Sequence, residues 1–592
     1  MKRSYTYPFM ARLGQIINSH QANAVLLTGN IDDLFFVPDE GDSIGEYVPL
    51  DKYLVERWDR AEGRIIITYK PYQPIRFVSK EDRTLFEKAW LQWAGGRAKG
   101  SQEFSVRLAK AAKNPEDALE LLRAMCTCSR GCNEQGQLVL PKALLILIED
   151  AHFLLPATEM SRLFEPDRRR VITCRDWFAD PAFTNGGDTV VMISELRSKI
   201  NADVLRIPTI MNVAIPTPDI SSHRHVISWF NRGLPDAMEL RLWSSQTKLA
   251  EHCAGLSTAA TLQLLRESVH SGQKLRAKDV SDKVEEFIQA SLGAEDVVGF
   301  LRPEHTLKDV IGTSQLKKYV SKEFIPRIQR TGTGALTGAV LCGPIGSGKS
   351  FLAQAIAAEC HLPVLILKNF RSSKFGGTDI LIERLRRVLD ALHAAVVYIE
   401  EADLQFGGVG KDVHPTERRA TAAFQKMMSD PKWRGRIFWM LDTARIHQLS
   451  PDLRRVGRAG SLILPILDPS EADRKDFLNW MLKPVLPSGE KFSPEEMDRI
   501  EAATTGYYAA AYAGLRDELV AKAGRDGTLT VDEILAAIED QILPNVGLTR
   551  EYQSLQAMLA CTRQSLLPEP STPEKRLAWE ARIQELEILG IR

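Results

Sequence analysis

At 592 residues the chain is too long for a single hydrophobic core, and its length suggests roughly three to five domains. Net charge is zero, from 76 basic and 76 acidic residues, which argues against a global electrostatic grip on nucleic acid and leaves room only for a local basic channel. Apolar content of 44% is ordinary for a globular protein, no apolar run reaches the ~20 residues of a membrane span, and eight thinly scattered cysteines suit reduced thiols in the cytoplasm.

The basic start Met1-Lys2-Arg3-Ser4-Tyr5 is followed by no continuous apolar core, which argues against a secretory signal. Residues 1–218 read as α/β, with candidate strands at 24–29, 64–69, 143–148 and 189–193. The third is an unbroken apolar run, expected to be buried on both faces, and it ends in Glu149-Asp150-Ala151-His152. Cys126, Cys128 and Cys132 lie within seven residues, either free thiols or, with His152, a metal site. Trp90, Trp93 and Trp229 lack an accompanying basic stripe and read as core or interface residues. Residues 219–296 read as a helical lid, with Ser257 or Thr258 able to cap a helix.

Strand and helix alternate again over 303–467, with strands at 339–342, 364–367, 395–399 and 437–441. A second helical stretch, 468–545, follows, then a C-terminal extension, 546–592. The extension has a Pro-rich break at 567–573 and a final helix from Glu574 to about Leu589. That helix is expected to bring Leu577, Ile583, Leu586 and Leu589 close to one face, for docking on the preceding helices or on another subunit.

An internal repeat organises these segments. Ile148-Glu149-Asp150-Ala151-His152 matches Ile399-Glu400-Glu401-Ala402-Asp403. Ser194-Glu195-Leu196-Arg197 matches Asp442-Thr443-Ala444-Arg445, and Ile215-Pro216-Thr217-Pro218-Asp219 matches Leu464-Pro465-Ile466-Leu467-Asp468. Corresponding residues stay about 250 apart. The chain therefore reads as two tandem modules, each a parallel α/β sheet domain plus a helical lid.

The second module carries Gly343-Pro344-Ile345-Gly346-Ser347-Gly348-Lys349-Ser350, a phosphate-binding loop between an apolar strand and a helix that starts near Phe351. Glycines let the loop's N–H groups turn inward, and the helix start adds unpaired N–H groups and a positive dipole end. In such a loop Lys349 reaches the β- and γ-phosphates and Ser350 ligates Mg²⁺. The strand ending in Glu400-Glu401 supplies two acids: Glu400 for the metal and Glu401 to polarise an attacking water. In the first module Gly29 is followed by Asn30-Ile31-Asp32-Asp33, with no Gly-Lys-Ser and two acids that repel phosphate, so that half reads as non-hydrolysing.

The second module resembles the AAA+ ATPase superfamily, and within it the AAA clade proper, over about 305–545; the first resembles a degenerate AAA-like module. Asp309-Val310-Ile311-Gly312 is similar to the clade's Asp-Val-x-Gly segment beside the adenine, which implies a nucleotide contact for Ile311 and Gly312. The loop matches Walker A, which implies nucleotide binding by residues 343–350 with the adjoining Phe351. Glu400-Glu401-Ala402-Asp403 matches Walker B, with glutamate where aspartate is usual. At the sensor-1 position Ala444 replaces asparagine, so a polar contact is lost unless Thr443 or Asp442 supplies it. Arg455 and Arg458 match the arginine fingers, which implies a homo-oligomeric ring, expected to be hexameric. The lid's Gly-Ala stretch, at 505–511, offers only Arg516 as a sensor-2 arginine. Lys374, Phe375 and Gly376 fill the pore-loop place, with an ordinary loop anchor as the other reading of Phe375, and Gly407–Lys411 stands where a second pore loop would.

The resemblance implies ATP and Mg²⁺ as cofactors and an ATPase that remodels or disassembles a protein partner. The alternative is a nucleotide-dependent assembly or regulatory scaffold with slow or no turnover. A nucleic-acid motor is disfavoured by the balanced charge.

Overall fold

A computed structural model describes residues 7–591, apart from 40–43, 61–62, 95–98, 134, 236–237, 293–297, 329, 331–333, 361, 368–376, 393, 407–414, 487–491 and 525–526. Residues 1–291 together with 379–391 form one compact unit, and 292–378 with 392–592 form another.

The first unit is built on strands β1 (Ala24–Gly29), β2 (Leu34–Val37), β3 (Glu46–Pro49), β4 (Arg64–Tyr69), β5 (Arg76–Phe77), β6 (Ala143–Ile148), β7 (Thr189–Ile193) and β8 (Ile210–Ile215). Six of them form one sheet in the order β5-β4-β6-β7-β1-β8, and β2 and β3 form a separate hairpin. All neighbours in the six-stranded sheet are parallel except the β4–β5 pair. Successive side chains of a strand point to opposite faces, and both faces are buried here. Leu26, Ile65, Ile67, Leu144, Ile146, Val190 and Met192 enter one core. Val25, Leu27, Ile66, Leu145, Leu147, Val191 and Ile193 enter the other. Trp90 and Phe104 fill the first core, along with Cys126 and Cys128. Burial pushes the Cys128 thiol up to about 12, and Cys132 is exposed.

The second unit has strands β9 (Val298–Phe300), β10 (Gly338–Cys342), β11 (Val364–Leu367), β12 (Ala395–Ile399), β13 (Ile437–Thr443) and β14 (Ile463–Pro465). Its sheet order is β14-β10-β13-β12-β11-β9, with only β9 antiparallel. Read strand for strand, β11, β12, β13, β10 and β14 occupy the places of β4, β6, β7, β1 and β8. Each sheet is edged by one antiparallel strand, which follows β4 in the first unit and precedes the whole sheet in the second. The fold is therefore α/β, with two parallel-dominated sheets flanked by helices.

The modules differ most after their first central strand. In the second, helix Lys349–Cys360 starts six residues beyond Gly343. In the first, the β2–β3 hairpin stands there, and helices Lys80–Trp93, Lys99–Ala111 and Pro115–Ser129 are inserted before β6. This insertion is why the spacing near 250 does not extend back to the phosphate loop.

Ser257 caps helix Thr258–Ser271, accepting from Ala260 N. Asp33 caps it as well: its carboxylate accepts from the N–H groups of Thr258 (2.9 Å) and Ala259 (3.0 Å). Asp33 thus serves as an internal brace, 2% exposed. Helices Glu471–Leu482, Pro494–Ala503, Ala509–Ala523 and Val531–Asp540 share a core of Leu478, Tyr512, Leu515 and Ile534.

The C-terminal extension corrects the sequence reading. Its last helix, Pro573–Ile588, packs on helix Gly547–Ala560 through Tyr552, Leu555, Ile583 and Leu586. Leu577 and Leu589 are exposed, so the four apolar residues do not share one buried face. Arg582 fixes the helix pair with a two-pronged contact to Glu551 (2.8 and 3.1 Å). Among the described residues no helix is long and apolar enough to cross a membrane.

Candidate active site

Glycine is required in the phosphate loop by close approach. A Cβ on Gly343 would lie 2.0 Å from the Ile466 carbonyl oxygen of the adjoining strand end. Gly346 has φ +75°, and a Cβ there would meet the Tyr508 ring at 2.7 Å. The loop is also held by neighbours: Ala510 N donates to Gly346 O (3.0 Å), and Ile345 N donates to Gln553 Oε1 (2.9 Å). Lys349 Nζ donates to the Gly343 and Pro344 carbonyls (3.1 and 2.8 Å). Burial pushes the Lys349 pKa down, and the Asp442 carboxylate works against that shift. Ser347 Oγ is buried with no hydrogen-bond partner among the described residues. Phe351 stacks on the His305 ring at 3.7 Å between centroids.

The ends of β12 and β13 face this loop. Glu401 is exposed and sits at φ +46°, a left-handed conformation uncommon for an acid. Asp442, 3% exposed near the end of β13, gathers three donors. Its Oδ2 accepts from Ser350 Oγ (3.0 Å) and Tyr398 OH (2.6 Å), and its Oδ1 accepts from Glu401 N (2.8 Å). The Ser350 hydroxyl is thereby joined to β13 through Asp442. Thr443 donates its hydroxyl to Asp403 (2.6 Å), which also faces Arg445 at 3.6 Å. Thr443 is thus committed within the protein, and Ala444 beside it has no polar side chain to offer.

Comparison with known proteins supports the same division of the chain. The AAA+ chaperone N-terminal Rossmann-like domain family matches residues 3–216, and the family of ATPases associated with various cellular activities (AAA) matches residues 339–465. This is an AAA+ protein, an AAA module preceded by an AAA-like one. An uncharacterized AAA domain-containing protein, ycf46, of Guillardia theta is 23% identical over 64% of this chain and 69% of its own length. A cell division cycle protein 48 homolog of Archaeoglobus fulgidus is 26% identical over 42% of this chain and 34% of its own length. The ATP-dependent zinc metalloprotease FtsH of Acidothermus cellulolyticus is 28% identical over 41% of this chain and 38% of its own length. This chain therefore spans little more than a third of the latter two proteins.

Around the AAA module's loop, Ile311 packs against the core of the following helices. Gly312 and Thr313 meet Asp473, which accepts from Thr313 N (2.7 Å). Arg516 lies over the Trp480 ring at 4.6 Å. Arg455 is exposed and faces Asp452 at 3.2 Å. Arg458 donates to the Asp452 carbonyl (3.1 Å). Val456 between them is 88% exposed, so this segment projects from the second unit. Lys374, Phe375, Gly376 and the segment 407–411 lie outside the described residues.

One contributor escaped the sequence reading. Helix Gly547–Ala560 brings Gln553, 2% exposed, to the phosphate loop. It also lays Arg550 over the Tyr508 ring at 3.8 Å and pairs it with Asp468. No motif in the extension signals this, because the contact is made in three dimensions only. Asp442, weighed from the sequence only as a stand-in at the sensor-1 position, is the one charged residue of the strand Ile437–Thr443.

The AAA-like module matches the AAA module in backbone at two strand ends. A Cβ on Gly29 would lie 2.3 Å from Ile215 O, as Gly343 does with Ile466. Asp150 has φ +48°, matching Glu401. Arg387 from helix segment 379–391 of the same unit donates to Gly29 O (2.8 Å). Glu383 of that segment accepts from Arg197 N and Ser198 N (3.0 and 3.1 Å). Side chains thus satisfy backbone groups at the place of the missing loop.

Proposed function

We propose that this protein is a Mg²⁺-dependent ATPase that binds ATP at Gly343–Ser350, assembles into a hexameric ring and remodels or disassembles a protein partner. The observation that carries the reading is the meeting of the Ser350 hydroxyl, from the loop, and the Glu401 backbone N–H, two residues past the end of β12, at the single carboxylate of Asp442. This shared anchor supports a site in which the helix start binds phosphate and the Glu401 side chain acts as base.

The residues fit the nucleotide. The buried Ser347 hydroxyl, without a hydrogen-bond partner among the described residues, suits a phosphate oxygen, and Lys349 has only to leave two loop carbonyls to reach one. They fit the metal as well, since a serine hydroxyl beside carboxylates is the hard oxygen set that Mg²⁺ prefers. Ser350 and Glu400 would hold it, and when bound it would supply positive charge to offset that of the transferring phosphoryl group. Glu401, exposed at the strand end, takes the proton from the attacking water.

Ring assembly is supported by the projecting 455–458 segment, whose Arg455 suits a neighbour's phosphate. Action on a protein is supported by the metalloprotease among the relatives. A cytoplasmic location is supported by eight free cysteines. One observation favours the slower scaffold reading: Ala444 offers no polar side chain, and the Thr443 hydroxyl is given to Asp403.

Steady-state ATP turnover with and without Mg²⁺, run beside particle mass, tests the proposal. Wild type is expected to turn over only with Mg²⁺ and to sediment as a hexamer with ATP. Glu401→Gln is expected to bind ATP and lose at least about 100-fold in rate. Turnover that survives Glu401→Gln removes the base, a monomer with ATP bound removes the ring, and binding without turnover in wild type selects the scaffold.

A further inference from the structure

The carboxylate joined to the phosphate loop's metal-binding hydroxyl comes from β13. Ser350 Oγ donates to Asp442 Oδ2 at 3.0 Å. A hydroxyl that gives its hydrogen to a carboxylate turns its lone pairs elsewhere, which is the orientation a cation needs. Asp442 is 3% exposed, and its two oxygens offer about four acceptor sites, three of them taken by Ser350, Tyr398 and Glu401. A buried carboxylate needs a positive partner. Lys349 attracts it at longer range but spends its hydrogen bonds on Gly343 and Pro344.

We propose that Asp442 is a metal-side carboxylate of the Mg²⁺ site, acting with Ser350 from the strand beside the one that bears Glu400. The proposal rests on the reading that Gly343–Ser350 binds Mg²⁺–nucleotide. Mg²⁺ keeps several of its waters, so a carboxylate behind the serine holds the ion through one of them. The Glu400 side chain is a methylene longer than the usual aspartate, and Asp442 supplies the shorter acid from the neighbouring strand. Its bond to Glu401 N also ties the candidate base to the metal side of the site, because one carboxylate fixes both.

The test is the Mg²⁺ dependence of binding of a fluorescent ATP analogue to the full chain, with melting temperature measured alongside. Wild type is expected to bind more tightly with Mg²⁺; absence of any binding would overturn the nucleotide reading itself and not this assignment. Asp442→Asn is expected to keep metal-free binding and lose about tenfold or more of the Mg²⁺ tightening. Tyr398→Phe removes one hydrogen bond from the same carboxylate and leaves its charge. It is expected to keep the tightening whole, and it carries the test alone if Asp442→Asn does not fold. Tightening that survives Asp442→Asn overturns the proposal. So does a Tyr398→Phe loss of about tenfold, which would make Asp442 a brace for the strand ends.

Discussion

Asp150 and Glu401 share a backbone conformation that few acids adopt, at φ +48° and +46°. Each follows an apolar strand, and the two lie about 250 residues apart, so the repeat seen in the sequence extends to single dihedrals. Another residue, His223, sets a pH limit on the first unit. It is fully buried, its Nδ1 lies 3.2 Å from Thr261 Oγ1, and its Nε2 has no partner among the described residues. Burial lowers its pKa from the ordinary 6.5 to about 4. The folded state therefore favours the neutral ring. Above pH 6.5 its contribution is fully present; as pH falls from there through about 4, the unfolded chain takes up the proton first and stability is lost. The loss is at most about 3 kcal/mol. Urea unfolding of the full chain across pH 4 to 6.5 is expected to show this slope, flattened in His223→Gln. An equal slope in both proteins would contradict the assignment.

Helix Gly547–Ala560 is the element whose role is least visible in the sequence. Through Gln553 it holds Ile345 N, and through Arg550 it covers Tyr508, which lies against Gly346. Gln553→Leu removes the acceptor and leaves a loop N–H without its partner, at a cost of about 1 kcal/mol. ATP affinity is expected to fall about fivefold, read by fluorescent nucleotide titration. Unchanged affinity would make the helix a passive cover. The sheets themselves were legible. The runs at Ala143–Ile148 and Ala395–Ile399 are apolar throughout, and both are central strands buried on two faces. The short edge strands β5 and β9 escaped notice because two or three residues carry no periodicity. In the candidate site, the loop and the Glu400-Glu401 pair could be read from spacing. The hydrogen bonds of Asp442 and Gln553 could not, since their partners lie 41 to 208 residues away along the chain.

At the scale of the whole molecule, two modules share one strand order, and only the second has a phosphate loop opening a helix. The first places the β2–β3 hairpin there, commits Asp33 to capping a helix and satisfies Gly29 O with Arg387. Both sheets share one strand order, so the modules differ in this segment and not in fold. The central claim is thus one nucleotide site per chain, at Gly343–Ser350. Calorimetric titration of the full chain with a non-hydrolysable ATP analogue measures it most directly. One site per chain is expected in wild type and none in Lys349→Ala; two sites in wild type, or one that survives Lys349→Ala, would overturn the assignment.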